Sequence, residues 1–501
     1  MRRPGRGTFV CALTAAMLAG VGVAAAVPEP AVAPAGLERF YQQRPQWKPC
    51  DEPDLAKAAA QCADITVPLN YAEPQGQTIT VAIDRLPATD PAHRRGIMLS
   101  NPGGPGGPGL GFGLEYGAAL APDVRARYDL IDMDPRGIGR STPVDCGWPI
   151  GFGLQSAGES RLSFGESVAT HADLAARCVA AEHGKLPYIT TRNSARDMDV
   201  IRAALGENRI SYYGVSYGTY LGAVYAQLFP ERVDRLVLDS AVDPQRYGIG
   251  MIQDMTAPNE AAFEAWTVWT AARDDRYHLG ATASAVRATV TGLIDRSARD
   301  PIRIGSYRVD DHWMPVVLFG GLDNPLHYDV LAGEIQQLAA AAAGQPVRPA
   351  GDLDQALSHM LTAPAPGGYG QDFVLCGDVA APRNPLWYWH NIEASRATAP
   401  VFGAFTNNLT TCAFWPRPIE PPTAVHNAVP ALIVQSTGDT RTAYSEGVAL
   451  HRDMTASRLI TLQGVAIHGI LGRYPDRCVE SAINAYYRDG VLPAADSTCT
   501  G

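Results

Sequence analysis

The sequence predicts an α/β fold, a mostly parallel sheet with flanking helices, interrupted by a large and mainly helical insertion. Three observations carry this expectation. Short apolar runs that read as buried strands ("GIMLS", "YDLIDM", "ISYYGVS", "RLVLDS") alternate with runs of helical spacing, the signature of parallel strands covered on both faces. The rhythm stops near Asp243, where the chain turns helical and irregular around Trp266, Trp269 and Trp313. It resumes with "ALIVQST" and "RLITLQG".

In chain order, Arg2, Arg3 and Arg6 precede the apolar run "TFVCALTAAMLAGVGVAAAV", which ends in the small residues Ala24, Ala25 and Ala26. This predicts a signal peptide over 1–26, removed near Ala26, and hence an exported, extracellular protein. Residues 27–36, "VPEPAVAPAG", read as a Pro/Ala linker. The first part of the core is expected over 37–242. "ADITVPLNYAEPQGQTITVAIDRLPA" reads as an antiparallel hairpin, and "NSARDMDVIRAALG" as an amphipathic helix ended by Gly206. "YGTYLGAVYAQLF" reads as a helix that stops at Pro230. The insertion is expected over 243–422, longer than an ordinary loop. The core resumes over 423–501, with helices in "TAYSEGVALHRDM" and "CVESAINAYYRDG".

The 501 residues carry a net charge of −10, which becomes −13 once the leader takes Arg2, Arg3 and Arg6 with it. A phosphate backbone would be repelled, so nucleic acid is excluded as a partner. No later window is apolar enough to span a membrane, so no stable membrane association is expected after cleavage. Nothing in the sequence dictates an oligomer, and a monomer is expected. With Cys11 lost in the leader, eight cysteines remain, an even number that suggests four disulfides in an exported chain. Nearest-neighbour pairing joins Cys50 to Cys62, Cys146 to Cys178, Cys376 to Cys412 and Cys478 to Cys499, one of the 105 connectivities that eight cysteines allow. No CxxC spacing occurs, so neither a metal nor a redox cofactor is expected.

"YYGVSYGTYLG" contains the single Gly-x-Ser-x-Gly of the chain: Gly214, Ser216 and Gly218. It lies where an apolar strand meets a helix, the setting in which a serine Oγ is exposed above a sheet as a nucleophile. Tyr217 N–H, at the start of that helix, is the natural first oxyanion donor. The second is expected from "NPGGPGGPG", where glycines allow close backbone approach, with Gly103 or Gly104 as the donor. A serine nucleophile needs a histidine base oriented by an acid. Asp439 ends "ALIVQSTGD", and His468 follows the next strand 29 residues later. His451 as base and Asp239 as acid are the alternatives.

These segments together resemble one family: the secreted α/β-hydrolase aminopeptidases of the proline iminopeptidase and tripeptidyl aminopeptidase type. The resemblance rests on "CADITVPLNYAEP", "NPGGPGGPG", "DPRGIGRS", the block from Asp197 to Pro244, and "GDTRTAYSEGVALHRDM" with "RLITLQGVAIHG". It implies a Ser216–Asp439–His468 triad, an oxyanion hole from Tyr217 and the 103–104 glycines, and support of the acid by Thr442. It also implies that the insertion is a lid whose carboxylates bind the free α-amino group of a peptide. Glu260 and Glu264, four apart on one helix face, and Asp378 are the candidates, with a solvated helix face as the competing reading. Two features depart from the family: Ala443 stands where a proline is usual, and the early lid lacks a cysteine pair. The expected activity is cleavage near free N-termini by an acyl-enzyme route. A carboxylesterase or lipase would use the same triad, and a non-catalytic binding protein would have no need of it.

Overall fold

The computed structural model describes residues 35–501 except Tyr369. The expected signal segment 1–26 and most of the expected 27–36 linker lie outside the described residues. Twelve strands are present among them: β1 (Lys48–Pro49), β2 (Gln61–Pro68), β3 (Thr78–Leu86), β4 (Gly96–Asn101), β5 (Tyr128–Met133), β6 (Ile210–Val215), β7 (Val233–Asp239), β8 (Ile302–Ile304), β9 (Tyr307–Val309), β10 (Ala431–Ser436), β11 (Arg458–Gln463) and β12 (Ser497–Thr500). Ten of them form one sheet in the order β1-β2-β3-β5-β4-β6-β7-β10-β11-β12. Every pairing from β5 through β4 to β12 is parallel, while β1–β2, β2–β3 and β3–β5 are antiparallel.

The strands read as unbroken apolar runs because both faces are covered. Side chains alternate across the sheet. Leu99, Tyr212, Leu236 and Ile433 pack on one face, with the helices Thr191–Ala204 and Tyr217–Leu228. Met98, Tyr213, Val237 and Leu432 pack on the other, with Phe112–Ala119 and Arg477–Asp489. The helix expected from Asn193 begins two residues earlier, because the Thr190 side chain caps it by accepting from Asn193 N. Arg477–Asp489 ends at Gly490, whose φ of 74° supplies the left-handed C-cap. "DPRGIGRS" also finds its role. Arg136 is fully buried and forks onto Asp197 at 2.7 and 2.6 Å, tying the loop after β5 to helix Thr191–Ala204.

Between β7 and β10 the chain forms a run of helices, including Thr256–Ala271, Ala283–Arg299 and Tyr328–Ala342, packed around Phe263 and the fully buried Trp266. It also holds the short antiparallel pair β8–β9, where the sequence suggested no strand. Disulfides join Cys50–Cys62, Cys146–Cys178, Cys376–Cys412 and Cys478–Cys499. No helix among the described residues is long and apolar enough to cross a membrane.

Candidate active site

Ser216 sits between β6 and helix Tyr217–Leu228 with φ 58° and ψ −128°, a conformation that an L-residue holds only under constraint from its surroundings. The flanking glycines are sterically required. A Cβ on Gly214 would lie 2.4 Å from Gly218 O, and one on Gly218 would lie 2.4 Å from Asn101 O. Tyr217 N–H is the first donor of the helix and has no intrahelical acceptor.

Of the two glycines expected to supply the other donor, one has its N–H engaged. Gly103 N–H already donates to Asn101 Oδ1 at 3.0 Å. Gly103 instead gives the loop room to lie against the turn, since a Cβ there would stand 2.7 Å from Ser216 Cβ. Gly104 lines the same cavity as Ser216.

Asp439 follows β10 and is fully buried. It accepts from Arg441 N (2.8 Å), Thr442 N (3.0 Å) and Thr442 Oγ1 (2.9 Å). His468 Nδ1 lies 2.9 and 3.0 Å from its two oxygens. Burial alone would push the Asp439 carboxyl up, but His468 and the two backbone N–H groups outweigh it and hold it below its ordinary value. His451 is engaged elsewhere, with Ser457 Oγ at 2.7 Å and Asp496 at 3.2 Å. Asp239 does not orient the imidazole. It accepts from Ile470 N (2.9 Å), Leu471 N (3.0 Å) and Tyr213 OH (2.9 Å), while Ser240 Oγ accepts from Gly469 N (2.8 Å). Three successive N–H groups after His468 are thus anchored by Asp239 and Ser240.

Ser216 and His468 open onto one cavity of about 1360 Å³. Phe152, Leu154, Met251, Met255 and Phe319 supply apolar wall; Glu52, Asp54 and Glu115 supply carboxylates; Arg441 and Arg473 supply cations. None of the three lid carboxylates expected to bind an amine lines it. Glu260 accepts from Val401 N and Phe402 N, both at 2.8 Å. Glu264 pairs with Arg287 on the surface. Asp378 is buried against Thr191 N (2.8 Å), Thr191 Oγ1 (2.5 Å) and Tyr247 OH (3.2 Å), and burial pushes it up to about 7. Two groups with metal-ligand spacing occur among the described residues, Cys50–Glu52–Cys62 and Asp476–Cys478–Cys499. In each the cysteines are joined in a disulfide and offer no thiolate.

The sequence reading missed what holds the glycine loop. Asp84 and Asp132 face each other across β3 and β5. Asp84 accepts from Gly111 N and Asp132 from Gly113 N, both at 2.6 Å, and Asp132 also accepts from Ser100 Oγ. Asp134 accepts from Gly109 N (2.8 Å) and Leu110 N (3.1 Å). The "DMDP" of Asp132 and Asp134 was the visible signal. Burial first, then Asp132, raises Asp84, so the folded pair keeps a proton at a pH where the unfolded chain has released it. The folded state then binds more protons than the unfolded, so the pair's cost to stability grows as pH rises above about 4. Asp84→Asn supplies a permanent donor toward Asp132 and an acceptor for Gly111. Its melting temperature relative to wild type should therefore climb between pH 4 and pH 8; a constant difference would contradict the shared proton.

Residues 96–293 match the family described as alpha/beta hydrolase fold, and residues 399–499 the family described as TAP-like protein. The chain is 34% identical to the tripeptidyl aminopeptidase of Streptomyces lividans, covering 90% of this chain and 86% of that one. It is 29% identical to the serine protease Hip1 of Mycobacterium tuberculosis (91% and 90% covered) and 29% identical to carboxylesterase B of the same species (96% and 95% covered). The chain belongs to the tripeptidyl aminopeptidase family of α/β hydrolases and is a serine peptidase of that type.

Proposed function

We propose that the protein is an exported aminopeptidase that releases short peptides or single residues from free N-termini through an acyl-enzyme on Ser216. The observation that carries this reading is that Ser216 shares a cavity with His468, whose Nδ1 is bonded to the buried Asp439. With Nδ1–H held by Asp439, Nε2 is left as a base for the Ser216 hydroxyl. Ser216 Oγ attacks the scissile carbonyl while His468 takes its proton. Tyr217 N–H and Gly104 N–H receive the oxyanion, each such donor contributing about 3–4 kcal/mol in the transition state. His468 then protonates the leaving amine, and water, activated by the same imidazole, releases the acyl group. Thr442 Oγ1 holds the carboxylate in place.

Residues 243–422 are the lid over this cavity, and the leader over 1–26 directs export, in keeping with four disulfides. The free α-amino group would pair with Asp54 or Glu115, or with Glu52 beside its 2.7 Å pair with Arg140, the carboxylates that line the cavity. An esterase is the second reading. It is favoured by the apolar wall of Phe152, Leu154, Met251, Met255 and Phe319, which would suit an acyl chain.

One comparison separates the two readings: aminoacyl and tripeptidyl nitroanilides, their N-acetylated forms and nitrophenyl esters, with Ser216→Ala as blank. The aminopeptidase should cleave free-amine anilides and lose that activity on N-acetylation. Cleavage of esters with no turnover of any free-amine anilide would sink the aminopeptidase proposal.

A further inference from the structure

Arg441, which is part-buried, is set apart from the buried arginines. Arg136, Arg202 and Arg235 each have a carboxylate partner, Asp197 at 2.6 Å, Asp199 at 2.6 Å and Asp234 at 3.5 Å. Arg441 enters none of the ion pairs among the described residues. Its guanidinium lies over the Phe319 ring, 3.3 Å from the centroid, donates to Phe319 O and makes one long contact of 3.5 Å to Asn259 Oδ1. The charges that act on it are Asp323, Asp439 and Arg473. Asp439 is committed to His468 and Thr442, and Asp323 to Arg473 at 3.2 Å.

Burial lowers Arg441 to about 10, so it remains a cation at neutral pH. Even partial withdrawal of a charge from water is costly when no carboxylate pairs with it. The guanidinium carries five N–H donors in a planar fork suited to a carboxylate, and the protein takes up only part of them. The group lines the cavity that holds Ser216 and His468. Its backbone is fixed by the 2.8 Å bond from Arg441 N to Asp439 Oδ1, so the side chain has a defined origin two residues from the acid.

We propose that Arg441 is a specificity residue that receives a carboxylate of the peptide substrate in the catalytic cavity. This rests on the peptidase reading above. The carboxylate belongs to the leaving fragment. His468 must reach the leaving amine, and Arg441 is on the loop that carries the partner of His468. A short peptide can bring a carboxylate there in two ways: a free C-terminus close behind the scissile bond, or an acidic side chain just after it. Arg473 lines the same cavity and adds positive potential, but it is bound to Asp323 and to His468 O.

The test uses matched peptides with a free N-terminus. One pair differs as free acid against C-terminal amide, the other as Glu against Gln after the scissile bond, with kcat/KM measured for wild type, Arg441→Met and Arg441→Lys. Wild type should favour the carboxylate member of at least one pair by about tenfold or more, mainly through KM. Arg441→Met should bring that ratio to about one, and Arg441→Lys should keep part of it, since a point charge attracts without the fork. The pair that responds identifies the source of the carboxylate. Equal cleavage of both members of both pairs by wild type overturns the proposal alone, whether or not Arg441→Met folds. A preference that survives in Arg441→Met also overturns it. A wild type that cleaves no peptide overturns the peptidase reading and this proposal together.

Discussion

Ser216→Ala should lower kcat on a peptide substrate by about a million-fold while leaving the fold and substrate binding close to those of wild type. The size of the loss follows from what the hydroxyl does. In the proposed mechanism it supplies the nucleophile of the acylation step, from a turn with φ 58° that opens onto the cavity, and water enters only afterwards, to attack the acyl-enzyme. Alanine keeps the Cβ that packs against the Gly103 loop, and Ser216 N still donates to Asp239 O at 3.0 Å. The melting temperature should therefore change little, and a mechanism-based phosphonate should label wild type and fail to label the variant. A residual kcat within about a hundred-fold of wild type would remove Ser216 from the chemistry, since the oxyanion donors and substrate binding alone account for only part of the enhancement.

Asp439→Asn should lower kcat by about ten-thousand-fold. The surrounding bonds dictate why. Arg441 N and Thr442 N both donate to Oδ1 of the acid. An asparagine turns its carbonyl oxygen to those donors and its NH2 to His468 Nδ1. The imidazole must then accept at Nδ1 and carry its proton on Nε2, where it has no lone pair for Ser216. The same exchange at Asp239 should cost far less, about a hundred-fold at most, because its carboxylate anchors the backbone of Ile470 and Leu471, and an asparagine oxygen can still accept one of those N–H groups. Single-turnover rates for both variants rank them directly. The opposite ranking would transfer the role of acid to Asp239.

Much of this architecture was legible because it is written in one dimension. The strand before Ser216, the helix after it and the glycines on either side are local patterns, and local patterns survive without knowledge of tertiary contacts. Asp439 and His468 were legible for the same reason, as residues just past the ends of apolar runs. The expected amine anchors show where such reading ends. The spacing of Glu260 and Glu264 gives a common helix face but not what lies opposite. What lies opposite is the backbone of Val401 and Phe402 for one and Arg287 for the other. That Gly103 N–H is engaged depends on the side chain of Asn101, which no pattern reveals. β12, "STCT", was passed over because it is a polar edge strand recognised only by its partner β11. Helix Arg161–Glu182 was unassigned because Ser, Thr, His and Gly residues blur its periodicity, although Ser160, which caps it by accepting from Ser163 N, marks its start.

The placement of the helical insertion between β7 and β10 also bears on when the protein becomes active. Leu236–Asp239 of β7 pair with Ala431–Val434 of β10, residues that leave the ribosome almost two hundred positions later. Until they arrive, β6 and β7 stand at an open apolar border, with neither Asp439 nor His468, the proposed acid and base, available to Ser216. A chain still being made is therefore unable to cleave anything, and its half-sheet offers an unpaired edge of the kind that chaperones shield. With the proposed triad, competence comes only after β10 and β11 have closed that border, so synthesis order itself delays the peptidase until both strands have followed.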